Sequence, residues 1–362
     1  MFRSKRTSVR PYALVNLTQL GNEMSHTMKR WVGDSLFFFL CIIALLPFIA
    51  GTPLASAQKA SASKGTVSVF YAGSLVHLME RDVGPAFSRA TGYTYQGEGK
   101  GSVALANIIK DKLRAPDVFI SADPRVNDLL TGPENANLVR WYAGIFRNEM
   151  VVAYNPKSRF AGELEDAKAG KLPVYEVLQR KGFRLGRTDP KLDPKGYRTL
   201  FLFDLAERYY REANLAQKVL GGPDNPTQIF PEEQLLVRLE TGQLDAGIFY
   251  RNEAAERRLP YVTFPRELNL SDPALDPQYA TATYVDPRGR TYRGSAIVYT
   301  VTILETSPNR EGAIAFVSFL LSPQGREILQ EHGLPLIRPI LYGDKNAVPP
   351  GLQGALERID TR

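Results

Sequence analysis

The sequence predicts an α/β fold of two lobes with a ligand cleft between them. Three observations lead there. Short β-branched runs alternate with longer amphipathic ones from about residue 66 onward, a spacing that makes the helices crossovers between strands of parallel sheets. The chain has 362 residues, a length that ordinarily builds two domains or two lobes. Its composition, 44% hydrophobic and 23% charged, excludes a disordered or collagen-like chain.

The leader comes first. Lys29 and Arg30 open a positive segment, an apolar run at 36–50 follows, and a small-residue tail ends Ala55-Ser56-Ala57. This is the layout of a secretory signal peptide, expected to be cleaved after Ala57. The apolar run is shorter than the roughly 20 residues of a membrane-spanning helix. Met24 and Met28 are alternative starts. The single cysteine, Cys41, lies inside the apolar run. The mature chain therefore has no disulfide, and multi-cysteine zinc or iron–sulfur sites are excluded. Export without disulfides points to a periplasm or the extracellular face of a membrane.

After a small polar linker at 58–65, the run TVSVFYA (66–72) reads as a strand leading through Gly73-Ser74 into a helix over about 75–90. YTYQGEG (93–99) is a second strand, 102–113 a helix of helical apolar spacing, and DVFISAD (117–123) a short buried strand. MVVAYNP (150–156) is a strand stopped by Asn-Pro. FRLGRTDP (183–190) is a strand running into a loop, followed by a helix over about 196–213. PEEQLLVRLETG (231–242) is a helix with Pro at its start and Gly past its end. LDAGIFY (244–250) is a strand, 265–293 is proline-rich and polar, and SAIVYTVTIL (295–304) is a strong strand followed by two closing helices. That last strand has no partner unless it returns to the first lobe. Lobe I is accordingly expected at 66–150 plus 264–345 and lobe II at 151–263, with the chain crossing near 153–155 and 261–264.

The formal net charge is +7, but six of the 45 basic residues and two of the 38 acidic ones lie in 1–57. The remainder is nearly balanced, with no basic stripe interleaved with aromatics, so nucleic acid is not an expected partner.

Three places share one layout, in which a strand ends, a polar turn follows and a helix begins. They hold Ser74, Ser102 (behind Gly99 and Gly101), and Asp193 with Lys195 and Gly196. Helix N-termini present free N–H groups and a positive dipole end, which suit an anion. Each serine could equally be an ordinary N-cap, and Asp123 either lines the cleft or starts the turn before Pro124. Enzyme signatures such as HExxH and GxSxG are missing. His77 and His332 lack companion metal ligands in the sequence.

In this order, VFYAGSL, GKGSVALANII, DVFISAD, GRTDPKLDPKGYRTL, ETGQLDAGIFYRNEA and FVSFLLSPQGREILQEHGL resemble the molybdate/tungstate-binding proteins of ABC transporters, over about residues 66–340. The resemblance implies a type II periplasmic-binding-protein fold closing on one tetrahedral oxyanion. It implies that Ser74 and Ser102 bind oxyanion oxygens, and that Asp193, Lys195, Gly196 and Tyr250 contribute from the other lobe. A backbone contact is implied near Glu233 and Gln234. It also implies no cofactor, a monomer, no catalysis, and permease and ATPase subunits as partners. The archaeal-type branch has a glutamate before the tyrosine, completing a six-coordinate metal centre with the Asp193-type carboxylate. Phe249 stands there in this chain. A four-coordinate anion held by donors alone is therefore expected, with Asp193 orienting its loop and Glu253 a rim carboxylate whose replacement by Gln leaves binding unchanged. Sulfate, phosphate or iron(III) are alternative ligands, and a secreted enzyme is the alternative class.

Overall fold

Strand β1 (Thr66–Ala72) is buried along most of its length. Its chain then turns through the 3-10 segment Gly73–Leu75 into a helical stretch that ends at Thr91. Pro85 has no N–H to close the ladder, and the turn before it, Met79–Val83, opens into a π-type turn. The computed structural model describes residues 63–356 together with the backbone of the last strand. The signal peptide, its cleavage site and Cys41 lie outside the described residues.

Strand β2 (Thr94–Lys100) is followed by the helix Ser102–Lys110, and β3 (Val118–Ser121) by a 3-10 turn that Asp123 caps. Strands β4 (Trp141–Arg147) and β5 (Met150–Tyr154) come next. β6 is only Leu185–Gly186. The 17-residue helix Pro194–Tyr210 and the helix Glu232–Glu240 precede β7 (Ala246–Tyr250), the helix Arg251–Glu256 and β8 (Tyr261–Thr263). The proline-rich stretch contains the hairpin β9 (Thr283–Val285) and β10 (Thr291–Arg293). β11 (Val298–Ile303), the helices Arg310–Leu321 and Pro323–Glu331, β12 (Leu336–Gly343) and β13 (Asp360–Thr361) close the chain.

These strands form a seven-stranded sheet in the order β13-β12-β4-β11-β3-β1-β2 and a four-stranded sheet in the order β6-β7-β5-β8. The expected parallel sheets are half right. β1 pairs in parallel with β2 and β3, but β11 runs antiparallel between β3 and β4, and β5 is antiparallel to both β7 and β8. The chain passes between the sheets twice, so the strands entering and leaving each sheet point oppositely. The first passage is at 148–149, earlier than expected, because Ala153 is already paired with Gly247 and Tyr261.

Burial follows the period of two along β5. Val151 and Ala153 pack with Leu235, Leu239 and Phe249 on one face, while Met150, Val152 and Tyr154 join the larger core on the other. Burying Leu235 and Leu239 contributes about 1.5–3 kcal/mol each and seats the helix Glu232–Glu240 with its first residue turned inward. Among the described residues no helix is long and apolar enough to cross a membrane.

Candidate functional site

The ends of β1 and β2 deliver the two serine turns to one buried region. Neither serine is an N-cap. Ala72 caps the Gly73–Leu75 turn and Gly101 caps the helix Ser102–Lys110. The serine hydroxyls are instead spent on tertiary contacts. Ser74 Oγ shares a 2.7 Å hydrogen bond with the Tyr299 hydroxyl on β11. Ser102 Oγ accepts from the Ala122 N–H at 3.1 Å, which leaves its own hydrogen available to donate. Of the first N–H groups of that helix, Ala104 donates to Leu192 O at 3.0 Å.

The smaller sheet supplies the charged groups. Asp193 caps the helix Pro194–Tyr210, its Oδ1 accepting from the Lys195 N–H at 3.1 Å. The buried Lys195 side chain donates from Nζ to Glu253 Oε1 at 2.7 Å, Glu253 Oε2 at 2.9 Å and Glu232 Oε1 at 3.2 Å. The ammonium also lies over the rings of Phe249 and Tyr250, 5.4 and 5.5 Å from their centroids. Glu253 Oε2 accepts a further bond from the Tyr250 N–H at 2.9 Å. One turn along the same helix, Arg198 donates to the Tyr250 hydroxyl and to Ala122 O, both at 2.7 Å, and pairs with Asp123 at 3.0 Å.

The electrostatics divide the carboxyls. Burial alone would raise Asp123, but Arg125 and Arg198 more than reverse it and hold the group well below the usual carboxylate range. Burial and the neighbouring Asp193 charge push Glu232 up to about 8 despite Lys195. Burial also raises Asp193 and Glu253. Lys195 is held above its ordinary value, because Glu253 and Glu232 outweigh its desolvation. Two carboxyl oxygens, Asp193 Oδ2 and Glu232 Oε2, have no hydrogen-bond partner among the described residues. A cavity of about 330 Å³ opens beside these two carboxyls, lined also by Gly101, Thr188, Leu192 and Pro231.

Ser102, Asp193, Lys195 and Tyr250 are therefore linked into one network through Ala122, Arg198 and Glu253, and Ser74 lies beside it through Tyr299, whose ring centroid is 5.9 Å from that of Tyr250. Gly196 has a different role: a Cβ there would stand 2.6 Å from the backbone of Asp189 and Pro190, so the glycine permits the loop to fold onto its own helix. Gln234 and Glu233 are exposed, and the Gln234 N–H is bonded within its own turn, to Pro231 O at 3.0 Å. The inward residue of that helix is Glu232, which sequence reasoning passed over. Glu253, expected at the rim, is buried at 6% exposure. Arg198 was visible only as the last letter of GYR. Asp123 both caps its turn and pairs across to Arg198. His77 and His332, remote in sequence, have ring centroids 5.9 Å apart, yet no group of three or more His, Cys, Asp or Glu side chains placed to hold a metal ion occurs among the described residues.

Residues 67–334 match the family of bacterial extracellular solute-binding proteins. A solute-binding protein of Petrotoga mobilis is 36% identical over 303 residues, covering 81% of this chain and 90% of its own. A putative ABC transporter molybdenum-binding protein of Haloferax volcanii is 36% identical over 289 residues, covering 79% and 86%. The molybdate/tungstate-binding protein WtpA of Thermococcus kodakarensis is 29% identical over 344 residues, covering 87% and 95%. Among solved structures, the periplasmic molybdate-binding protein of Azotobacter vinelandii shares the fold with a TM-score of 0.51 at 17% identity, covering 75% of this chain and 99% of its own.

Proposed function

The chain belongs to the family of bacterial extracellular solute-binding proteins, and from that premise we propose that it captures molybdate or tungstate outside the cytoplasm for an ABC importer. The relatives named for molybdenum, molybdate or tungstate support the ligand class. The observation that carries the reading is that Ser74 and Ser102 do not cap their helices. Both are buried, Ser102 on the network that joins the two sheets and Ser74 beside it, and Tyr250, whose hydroxyl accepts from Arg198, keeps its own hydrogen to donate. Ser74, Ser102 and Tyr250 are the anion donors, Asp193 and Lys195 shape the opposite wall, and Gly196 lets the Asp193 loop close onto its helix.

In this reading residues 66–147 plus 264–345 form one lobe and 150–263 the other, the expected first boundary moving to 148–149 because Met150 already pairs with Tyr250. The chain is exported by its signal peptide, acts as a monomer without catalysis or cofactor, and hands its anion to permease and ATPase subunits. A second reading has a specific basis. The unpartnered Asp193 Oδ2 and Glu232 Oε2 are acceptors, and a protonated anion such as hydrogen phosphate would bring them a hydrogen.

Thermal unfolding of the exported chain with molybdate, tungstate, sulfate and phosphate decides between them. A ligand at 100 times its Kd adds about 2.7 kcal/mol, so molybdate and tungstate should raise Tm by several degrees and phosphate should not. No shift with molybdate or tungstate overturns the proposal, and a shift with phosphate alone establishes the second reading.

A further inference from the structure

The buried network is one charge short of neutrality. Among the described residues, Asp123, Asp193, Glu232 and Glu253 face Arg125, Lys195 and Arg198 as cations, and Arg125 is itself part-exposed. Placing a dianion beside that excess is unfavourable, because a buried charge without a counter-charge has lost its hydration with nothing in return. A fully deprotonated oxyanion offers acceptors only, and so does an ionised carboxylate, so the two cannot share a hydrogen bond.

The four carboxyls are not equally able to take up a proton. Asp123 accepts from two arginines and a tyrosine hydroxyl. Glu253 accepts twice from Lys195 and once from the Tyr250 backbone. Asp193 accepts at Oδ1 as a helix cap and also has an unpartnered Oδ2, but that cap fixes its side chain at the helix start. Glu232 has a single 3.2 Å bond to Lys195, and its other oxygen is unpartnered in a residue 8% exposed. That free oxygen faces Gly73, next to Ser74: a Cβ on the glycine would stand 2.3 Å from it. The ionisable or charged groups around it are Asp193 and Lys195 at one helix start, Glu253 at another, and Tyr299 on β11.

We propose that anion capture is coupled to proton uptake at Glu232: the dianion is held beside a neutral Glu232 carboxyl, whose hydroxyl donates to an anion oxygen, and an ionised Glu232 excludes it. One proton passes from solution to Glu232 Oε2 and no covalent bond of the anion changes. The inference rests on the oxyanion reading above. The raised titration of Glu232, to about 8 before any anion enters, agrees with it, since a bound dianion raises it further.

The test is calorimetric titration of molybdate into the exported chain from about pH 6.5 to about 9.5, each pH in two buffers of different ionisation enthalpy, which counts protons directly. The unaltered protein should take up about one proton per anion at the alkaline end, with Kd rising roughly tenfold per pH unit above about 8 and flat below it. Glu232→Gln, whose carboxamide donates without titrating, should bind with a Kd independent of pH and take up no proton. Binding that is tight but independent of pH in the unaltered protein, or proton uptake that survives in Glu232→Gln, overturns the proton coupling and leaves the oxyanion reading standing. No binding of molybdate at any pH overturns both.

Discussion

Arg198 and Asp123 meet at 3.0 Å with both side chains essentially out of solvent. They join the helix beside the smaller sheet to the end of β3 in the larger one. Tyr197 adds a second bond from the same helix, its hydroxyl donating to Asp123 at 2.8 Å.

Removing Arg198 leaves the buried Asp123 with the part-exposed Arg125 as its remaining cation. Arg198→Ala should cost about 3–5 kcal/mol in urea unfolding. The Asp123 carboxyl is depressed on folding, so its contribution is present above the ordinary aspartate pKa and is lost as pH falls through the lower folded value. The variant should therefore lose less stability on acidification than the unaltered protein. Equal acid sensitivity in the two would refute the pairing as its source.

The two turn glycines face carboxyl-bearing residues across the cleft. A Cβ on Gly73 would meet the end of the flexible Glu232 side chain, whereas one on Gly101 would lie 2.4 Å from the Leu192 carbonyl oxygen. Backbone cannot swing aside, so Gly101→Ala should weaken molybdate binding more than Gly73→Ala. The Gly73→Ala defect should shrink in a Glu232→Ala background, a coupling that a double-mutant cycle measures. Simple additivity of the two changes would contradict the contact.

Ser74→Ala and Ser102→Ala each remove a donor to a buried anion. Hydrogen bonds to charged groups contribute about 1.5–3 kcal/mol, so each change should weaken molybdate binding roughly 10- to 100-fold. Ser102→Ala also strands the Ala122 N–H and should lower stability further, by about 1–3 kcal/mol. An unchanged Kd in both variants would assign the serines to architecture alone.

His332 places Nδ1 2.9 Å from Glu256 and Nε2 3.0 Å from Asp82. Both nitrogens can donate only in the imidazolium form. The hydrogen bond to Glu256 and the charges of Glu256 and Asp82 outweigh partial desolvation and raise its pKa. This contribution is complete below the ordinary histidine pKa and disappears as pH rises through the raised folded value. Tm should fall across that window, and His332→Gln should flatten the fall. A variant that keeps the full slope would move the effect elsewhere.

Local pattern reached the parts of the fold that local pattern builds. TVSVFYA became β1 at its expected bounds, and the serine turns lie where strand-to-helix punctuation put them. β4 and β12 escaped notice for identifiable reasons. WYAGIFR carries Gly144 mid-strand, where a Cβ would press on Val298 at 2.8 Å. LIRPILYG carries Pro339 inside the strand, and its pairing with β4 slips between Leu336 and Ile340.

The sequence by itself determined the alternation of strands and helices, the glycine-flanked serine turns and the likeness to oxyanion-binding relatives. These depend on side-chain periodicity and on turn chemistry within a few residues. Only the tertiary structure decided which charges meet. Lys195 reaches Glu253 across 58 residues and Arg198 reaches Asp123 across 75. Nothing near either partner announces the pairing, because an ion pair acquires its strength from the burial that the assembled fold creates. The same burial turned Glu232, an unremarked helix-start glutamate, into a carboxyl with one free oxygen at the heart of the site.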